Sequence, residues 1–209
     1  VIDYTARTDF WNQVENIMHE NKFANPWQTI STAEKYDNPW IRVTESRVIR
    51  PDGQPGIYGV VHFKNKAIGI LPVDAEGCLY LVGQFRYAIN RYSWEIPEGG
   101  GPEDESPLES AKRELLEETG LSAARWKLLG RSHLSNCVCD EDAYYFLATE
   151  LTQGEASPEG TEKLELRRVH MAEALEMISR QEITDSLTII AIFHYLHFQK
   201  LSSSASASD

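Results

Sequence analysis

The chain has 209 residues, 42% hydrophobic and 25% charged, with a formal net charge of −12. That is the profile of a globular protein large enough to bury a core without disulfide or metal staples. So acidic a chain argues against a role in coating nucleic acid. No apolar run reaches the ~20 residues of a membrane helix, and the longest, Leu187 to Phe198, carries His194 and His197. Cys78, Cys137 and Cys139 are too few for a disulfide framework and suit a reducing, cytoplasmic setting. Cys137-Val138-Cys139 lacks the second ligand pair that a structural zinc needs. The sequence opens Val1-Ile2-Asp3 without a methionine, which leaves open an upstream segment already removed.

In chain order, Phe10, Val14, Ile17 and Met18 recur at helical spacing and predict a helix from Tyr4 to Lys22. After Asn25-Pro26, Trp40 to Arg50 and Ile57 to Phe63 are rich in β-formers. They flank the turn Pro51-Asp52-Gly53, so a hairpin is expected. Apolar strands follow at Ala67 to Val73 and Cys78 to Phe85, then a glycine-rich loop from Pro97 to Pro102. The next helix is sharply punctuated. Ser106 is its N-cap, Pro107 suits the first helical position, Glu109 completes a Ser-x-x-Glu capping box, and Gly120 ends it. Leu108, Ala111 and Leu115 form its apolar face. Further strands are expected at Trp126–Arg131, Ala143–Ala148 and Lys163–Val169, and helices at Ala172–Ser179 and Asp185–Phe198. The Ser/Ala-rich tail Ser202–Asp209 reads as disordered. This mixed order argues for an α/β sandwich rather than a doubly wound parallel sheet.

The chemistry concentrates on the other face of the capped helix. At 100° per residue, Glu114, Glu117 and Glu118 fall within about a third of its circumference. Like charges one turn apart destabilise a helix by about 0.2–0.5 kcal/mol per pair. A divalent cation would offset that repulsion, and an all-oxygen donor set suits Mg²⁺ or Mn²⁺. The surrounding pattern is Gly99-x5-Glu105-x7-Arg113-Glu114-Leu115-x-Glu117-Glu118-x-Gly120-Leu121, with nine positions specified. A chance match is on the order of one in ten million at average residue usage.

This pattern resembles the box of the Nudix hydrolases, which act on nucleoside diphosphates linked to another moiety. The resemblance implies a Nudix α/β/α sandwich with a mixed sheet plus an N-terminal β-rich extension. Residues 1–65 would be the extension, serving dimerisation and part of the substrate site. Residues 66–200 would form the hydrolase domain and 201–209 a disordered tail. Glu114, Glu117 and Glu118 match the family's metal-binding carboxylates, and the peptide carbonyl of Glu98 a further ligand, for two or three Mg²⁺ (or Mn²⁺) ions. Glu105 and Arg113 match positions that brace the loop against the helix.

Outside the box, Gln84-Phe85-Arg86 and Trp94-Glu95-Ile96-Pro97-Glu98-Gly99 resemble runs found in the ADP-ribose and nucleoside-diphosphate-sugar pyrophosphatases. The resemblance implies a homodimer that exchanges its N-terminal β region. Arg86 would meet the diphosphate or ribose, Trp40 and Tyr58 would be an aromatic clamp, and Glu95 and Glu141 further substrate-binding residues. In that group a loop after the box supplies the general base, for which Glu162 is the best match and Glu159 the second. One departure is the stretch Leu134 to Glu141, which lacks the proline usual in the ADP-ribose branch. Its Ser135-Asn136 and Asp140-Glu141 resemble sugar-nucleotide relatives.

The expected activity is hydrolysis of a nucleoside diphosphate sugar, ADP-ribose included, to a nucleoside monophosphate and a sugar phosphate. The alternatives are a Nudix-fold sensing module without turnover, or an enzyme acting on nucleoside triphosphates or coenzyme A. No nucleic-acid or membrane partner is expected. His133 and His170 have no assigned role beyond structure.

Overall fold

Strand β4 (Lys66–Pro72) organises the larger part of the molecule. Six of its seven residues are buried, and they divide by parity, as a pleated strand requires. Ile68 and Ile70 join a cluster with Ala111, Leu115, Leu121, Phe146 and Ala148. Ala67 and Leu71 join a second cluster with Met177, Leu187, Ala191 and Ile192. Helix α1 (Pro107–Thr119) supplies the first covering layer and helix α3 (Ser186–Ser206) the second. The result is an α/β/α sandwich.

The computed structural model describes residues 24–154 and 164–206. The expected helix from Tyr4 to Lys22 and the loop acids Glu159 and Glu162 lie outside the described residues. The central sheet has the order β7-β4-β9-β8. β7 (Glu98–Gly101) runs antiparallel to β4, and β9 (Asp142–Gln153) runs parallel to it. β8 (Leu121–His133) is antiparallel to β9 with a bulge between Leu128 and Gly130. The sheet is therefore mixed, as expected. A second, antiparallel sheet has the order β10-β5-β6, from β5 (Cys78–Arg86), β6 (Arg91–Glu95) and β10 (Glu165–His170). Helix α2 (Met171–Ser179) follows β10 directly. No helix among the described residues is long and apolar enough to cross a membrane.

The third sheet, β1-β2-β3, joins β1 (Gln28–Asp37), β2 (Ile41–Ile49) and β3 (Pro55–Phe63). The β2–β3 hairpin is the expected one, with Gly53 at φ +79° in its turn. The polar β1 was not expected as a strand, and all ten of its residues are exposed. The chain divides into two compact units. One ends at Asp37 and takes in Val43–Val60; the other takes in Asn38–Arg42 and continues from Val61.

Three local expectations need correction. The glycine-rich stretch expected as a loop forms strand β7, held by antiparallel pairing with β4. Glu109 N donates to Ser106 Oγ at 3.2 Å, so the N-cap is present. The Glu109 carboxylate, however, pairs with Lys112 at 2.7 Å, and the reciprocal half of the capping box is not made. An exposed lysine one turn away is a charged competitor for that carboxylate. Helix α3 also runs through Ser206, into the segment expected to be disordered. Extending an established helix needs no new nucleation, so Ser and Ala suffice there.

Candidate active site

The C-terminal stop of α1 is Gly120, at φ +69°, whose N–H donates to Leu116 O. Between the two caps, Ala111 and Leu115 are fully buried against the central sheet, which fixes the rotation of the helix and turns its acidic face toward β7. Pairing with β4 sets Gly99 opposite Ile68. The Glu114 carboxylate comes so close to Gly99 that a Cβ there would overlap it. Arg113 holds this arrangement together. Its Nη1 donates to Glu114 at 2.7 Å and to Glu117 at 3.0 Å, and its Nη2 to the Gly100 carbonyl at 2.9 Å and Glu105 at 3.2 Å. Glu105 also accepts from Ser110 Oγ at 2.7 Å. Burial opposes the Arg113 charge, but Glu114, Glu105 and Glu117 outweigh it and raise its pKa. Glu118 is 5% exposed and accepts from the Glu98 N–H at 2.9 Å.

A second charged group lies beside the first. Arg86, at the end of β5, donates through Nε and Nη2 to both oxygens of Glu95 at 2.6–3.1 Å and through Nη2 to Glu98. Carboxylate oxygens of Glu95, Glu98 and Asp185 lie within 4.8 Å of one another. Asp185 accepts from Thr188 N at 2.6 Å and Thr188 Oγ1 at 2.8 Å, as an N-cap residue does for α3. Burial pushes the Glu98 carboxyl well above its usual range, reinforced by Asp185 and Glu95 and opposed by Arg86. Oε2 of Glu98 is buried without a hydrogen-bond partner among the described residues. Five carboxylates (Glu95, Glu98, Glu105, Glu114 and Glu117) thus share two guanidiniums, with Glu118 and Asp185 beside them, a surplus of negative charge that calls for a cation or protons.

A cleft of about 270 Å³ opens here, lined by Trp40, Phe63, Lys66, Arg86, Glu98 and Glu141 among others, near the small end of ligand pockets. Its aromatic side is fixed by backbone contacts. Asn38 Oδ1 accepts from the N–H groups of Trp40 and Ile41, each at 2.8 Å, and Lys64 N donates to Trp40 O at 3.0 Å. The loop from Leu134 to Glu141 docks along Val61–Phe63. Val61 N donates to Val138 O at 2.9 Å, Phe63 N to Asp140 Oδ1 at 3.1 Å, and His62 Nδ1 meets Asp140 Oδ2 at 2.5 Å. That docking brings Glu141 to the cleft. Burial, with Asp140 adding to it, raises the Glu141 pKa.

The structure therefore brings together Trp40, Arg86, Glu98 and Glu141 at the cleft, with Glu114, Glu117 and Glu118 on the helix beside Gly99. Glu95, expected to meet substrate, is 3% exposed and commits both oxygens to Arg86. The alternation of β6 turns Ser93 and Glu95 inward, and Glu95 holds the Arg86 guanidinium. Tyr58 lies in the smaller unit, edge-on to Trp27 with ring centroids 5.2 Å apart. Sequence reasoning passed over Lys66 and the side chain of Asp185. For Asp185 a signal existed, since Asp185-Ser-Leu-Thr188 begins an apolar helical run as an N-cap does.

Comparison with known proteins agrees with this geometry. Residues 64–187 match the NUDIX domain model, and residues 27–61 match the nucleoside diphosphate sugar hydrolase N-terminal domain. An ADP-ribose pyrophosphatase of Bacillus subtilis (strain 168) is 35% identical over 136 residues, covering 64% of this chain and 73% of that protein. A methanol dehydrogenase activator of Bacillus methanolicus is 29% identical over 175 residues, covering 83% and 94%. Among solved structures, an ADP compounds hydrolase superposes with a TM-score of 0.76 at 18% identity, covering 84% of this chain and 95% of that one; at that identity the likeness speaks for the fold. With the family model spanning over half the chain and the full box in place, the chain belongs to the Nudix hydrolases.

Proposed function

We propose that the protein hydrolyses the diphosphate bond of nucleoside diphosphate sugars, ADP-ribose included, to a nucleoside monophosphate and a sugar phosphate. The observation that carries this reading is the Glu114 carboxylate seated over Gly99, braced by Arg113, at the edge of a cleft containing Arg86. The N-terminal domain match and the B. subtilis relative support the substrate class.

The carboxylate surplus and the orphaned Glu98 oxygen fit a divalent cation. Glu114, Glu117 and Glu118, with the Glu98 carbonyl, would hold two or three Mg²⁺ or Mn²⁺ ions. Such ions, when bound, offset the diphosphate charge and lower the pKa of the attacking water. Arg86 binds the diphosphate, for which a planar guanidinium is well shaped. Trp40 and Tyr58 stack on the base or sugar, and Glu141 accepts hydrogen bonds from its hydroxyl or amino groups. Glu162, or in second place Glu159, removes the proton from the water.

The working form is a homodimer. The β1-β2-β3 sheet exposes every residue of β1, and Val48 is the buried hydrophobic residue of its unit among the described residues. A three-stranded sheet with so little core needs a covering partner, which a second copy supplies. Light scattering on the purified chain tests this, and a monomer at micromolar concentration refutes it.

Incubation of ADP-ribose, ADP-glucose, GDP-mannose, UDP-glucose and deoxynucleoside triphosphates, each with Mg²⁺, and detection of the nucleoside monophosphate formed tests the function. Turnover of one or more of the diphosphate sugars upholds it. Binding without turnover points to a sensing module, and preference for triphosphates overturns the substrate class.

A further inference from the structure

The cleft contains two cations among its lining residues, and they are not equivalent. Arg86 is already shared by two carboxylates, Glu95 and Glu98. Lys66 donates instead to two backbone carbonyls, Pro102 O at 3.0 Å and Glu103 O at 3.4 Å. Carbonyl dipoles orient an ammonium but do not cancel its charge, and one of its three N–H donors remains for a ligand. No carboxylate among the described residues pairs with it. On the β4–β7 ladder Lys66 pairs with Gly101, and Glu98, the partner of Arg86, pairs with Gly69. Those two ends are separated by about 10 Å of strand rise, with Gly99 and Gly100 between them.

We propose that Lys66 is a substrate-binding residue: its ammonium takes a phosphate oxygen of the diphosphate, at the far end of the glycine strand from Arg86. The inference rests on the proposed hydrolase reading and sharpens it. Two cations lining one small cleft, one of them offset and the other not, suit a ligand carrying two linked phosphates better than a phosphate monoester. A lysine also binds as a point charge without the fork geometry of arginine, so it tolerates the changing orientation of different sugar diphosphates.

The test uses the full chain, K66Q and K66R. It measures ADP-ribose hydrolysis at saturating Mg²⁺, the Mg²⁺ activation constant, and ADP binding by titration calorimetry. K66Q should raise KM and the ADP Kd about tenfold with kcat within about twofold and the Mg²⁺ constant unchanged, and K66R should recover most of the loss. If K66Q lowers kcat and raises the Mg²⁺ constant at unchanged KM, Lys66 merely fastens the Pro102–Glu103 turn and the inference fails. Unchanged KM and Kd also overturn it. Should the wild-type chain turn over no sugar diphosphate, the hydrolase reading falls, and ADP calorimetry still decides. Tenfold weaker binding by K66Q upholds the site; equal binding, or no binding by wild type, overturns it.

Discussion

Replacing Gly99 by alanine separates the chemistry of the site from its folding. The φ of Gly99 lies outside the left-handed region, so the β7 backbone accepts an L-residue there. Losing a glycine restricts the unfolded chain and favours folding by about 0.4–1 kcal/mol. Against this stands the new methyl group, which overlaps the Glu114 carboxylate. Glu114 is the far end of a flexible side chain, so it yields, and its carboxyl carbon must retreat by at least about 1 Å to reach ordinary contact. That retreat strains its ion pair with Arg113, whose side chain is 34% exposed; a pair of this kind contributes at most about 1 kcal/mol. The two effects nearly cancel, and Tm should move by no more than a few degrees. Activity should not be spared, because an error of about 1 Å in a reacting geometry costs on the order of a hundredfold. The assay is ADP-ribose hydrolysis beside thermal unfolding. We expect kcat to fall about a hundredfold and the Mg²⁺ activation constant to rise. Gly101→Ala should do the opposite, since its Cβ meets Ile68 at 3.0 Å and Ser110 at 2.9 Å, both buried. Overpacking there costs about 1–3 kcal/mol of stability. Full activity in G99A would refute the placement of Glu114 at the reacting centre, and an unfolded G99A would refute the stability argument.

Three other outcomes are expected. Glu118→Gln keeps an oxygen to accept from the Glu98 N–H, so the fold should hold while kcat falls by two or more orders of magnitude; near-normal kcat at saturating Mg²⁺ would remove Glu118 from the ion-binding set. Glu162→Gln should lose most turnover and Glu159→Gln little, and the reverse result in a parallel assay would exchange their roles. Glu141 has a folded pKa above its unfolded value because of burial and Asp140. Its contribution is then fully present below the unfolded value of about 4.3 and declines as pH rises toward the folded one. Glu141→Gln should flatten that part of the stability profile, as read by urea unfolding at pH 4, 5 and 6; an unchanged slope would place Glu141 in water.

What the sequence revealed of the fold follows from how strongly each segment is one-sided. β4 and β5 are apolar runs and were legible, as was α1 with its N-cap and its Gly120 stop. β1, with the sequence Gln28-Thr-Ile-Ser-Thr-Ala-Glu-Lys-Tyr-Asp37, is exposed on both faces; nothing in its side chains marks a burial pattern, because the strand is held by pairing with β2. β6 is a five-residue strand with two outward arginine and tyrosine positions before Ser93 turns in, too short for periodicity to register. β8 was read from Trp126 to Arg131 alone, because its burial alternates only weakly and a bulge near Gly130 shifts the phase. The role of Glu109 was misjudged for a different reason: the Ser-x-x-Glu spacing is necessary for a capping box but does not exclude Lys112 as a stronger attraction.

The candidate site shows the same division at closer range. Helix α1 carries the core on one face and the acids on the other, so Leu115 and Glu114 are neighbours in sequence with opposite tasks. Packing of Ala111 and Leu115 against Ile68 and Ile70 sets the angle at which Glu114, Glu117 and Glu118 emerge. The spacing of these acids therefore records a geometry already fixed by burial, and that is why a contiguous stretch of sequence discloses it. Arg86, Asp185, Lys66 and Glu141 come from a strand end, a helix cap, the first residue of another strand and a docked loop. Their proximity arises from pairings such as Lys66 with Gly101 and Phe63 with Asp140, which join residues 35 and 77 positions apart. No local pattern encodes such a meeting. The proposed ion-binding carboxylates of α1 are thus written in one helix, whereas the proposed substrate contacts depend on residues that only the tertiary fold assembles. Substitution of Lys66 should weaken all sugar diphosphates alike, substitution of Glu141 should shift the preference among them, and both should leave the acidic face of α1 as it is.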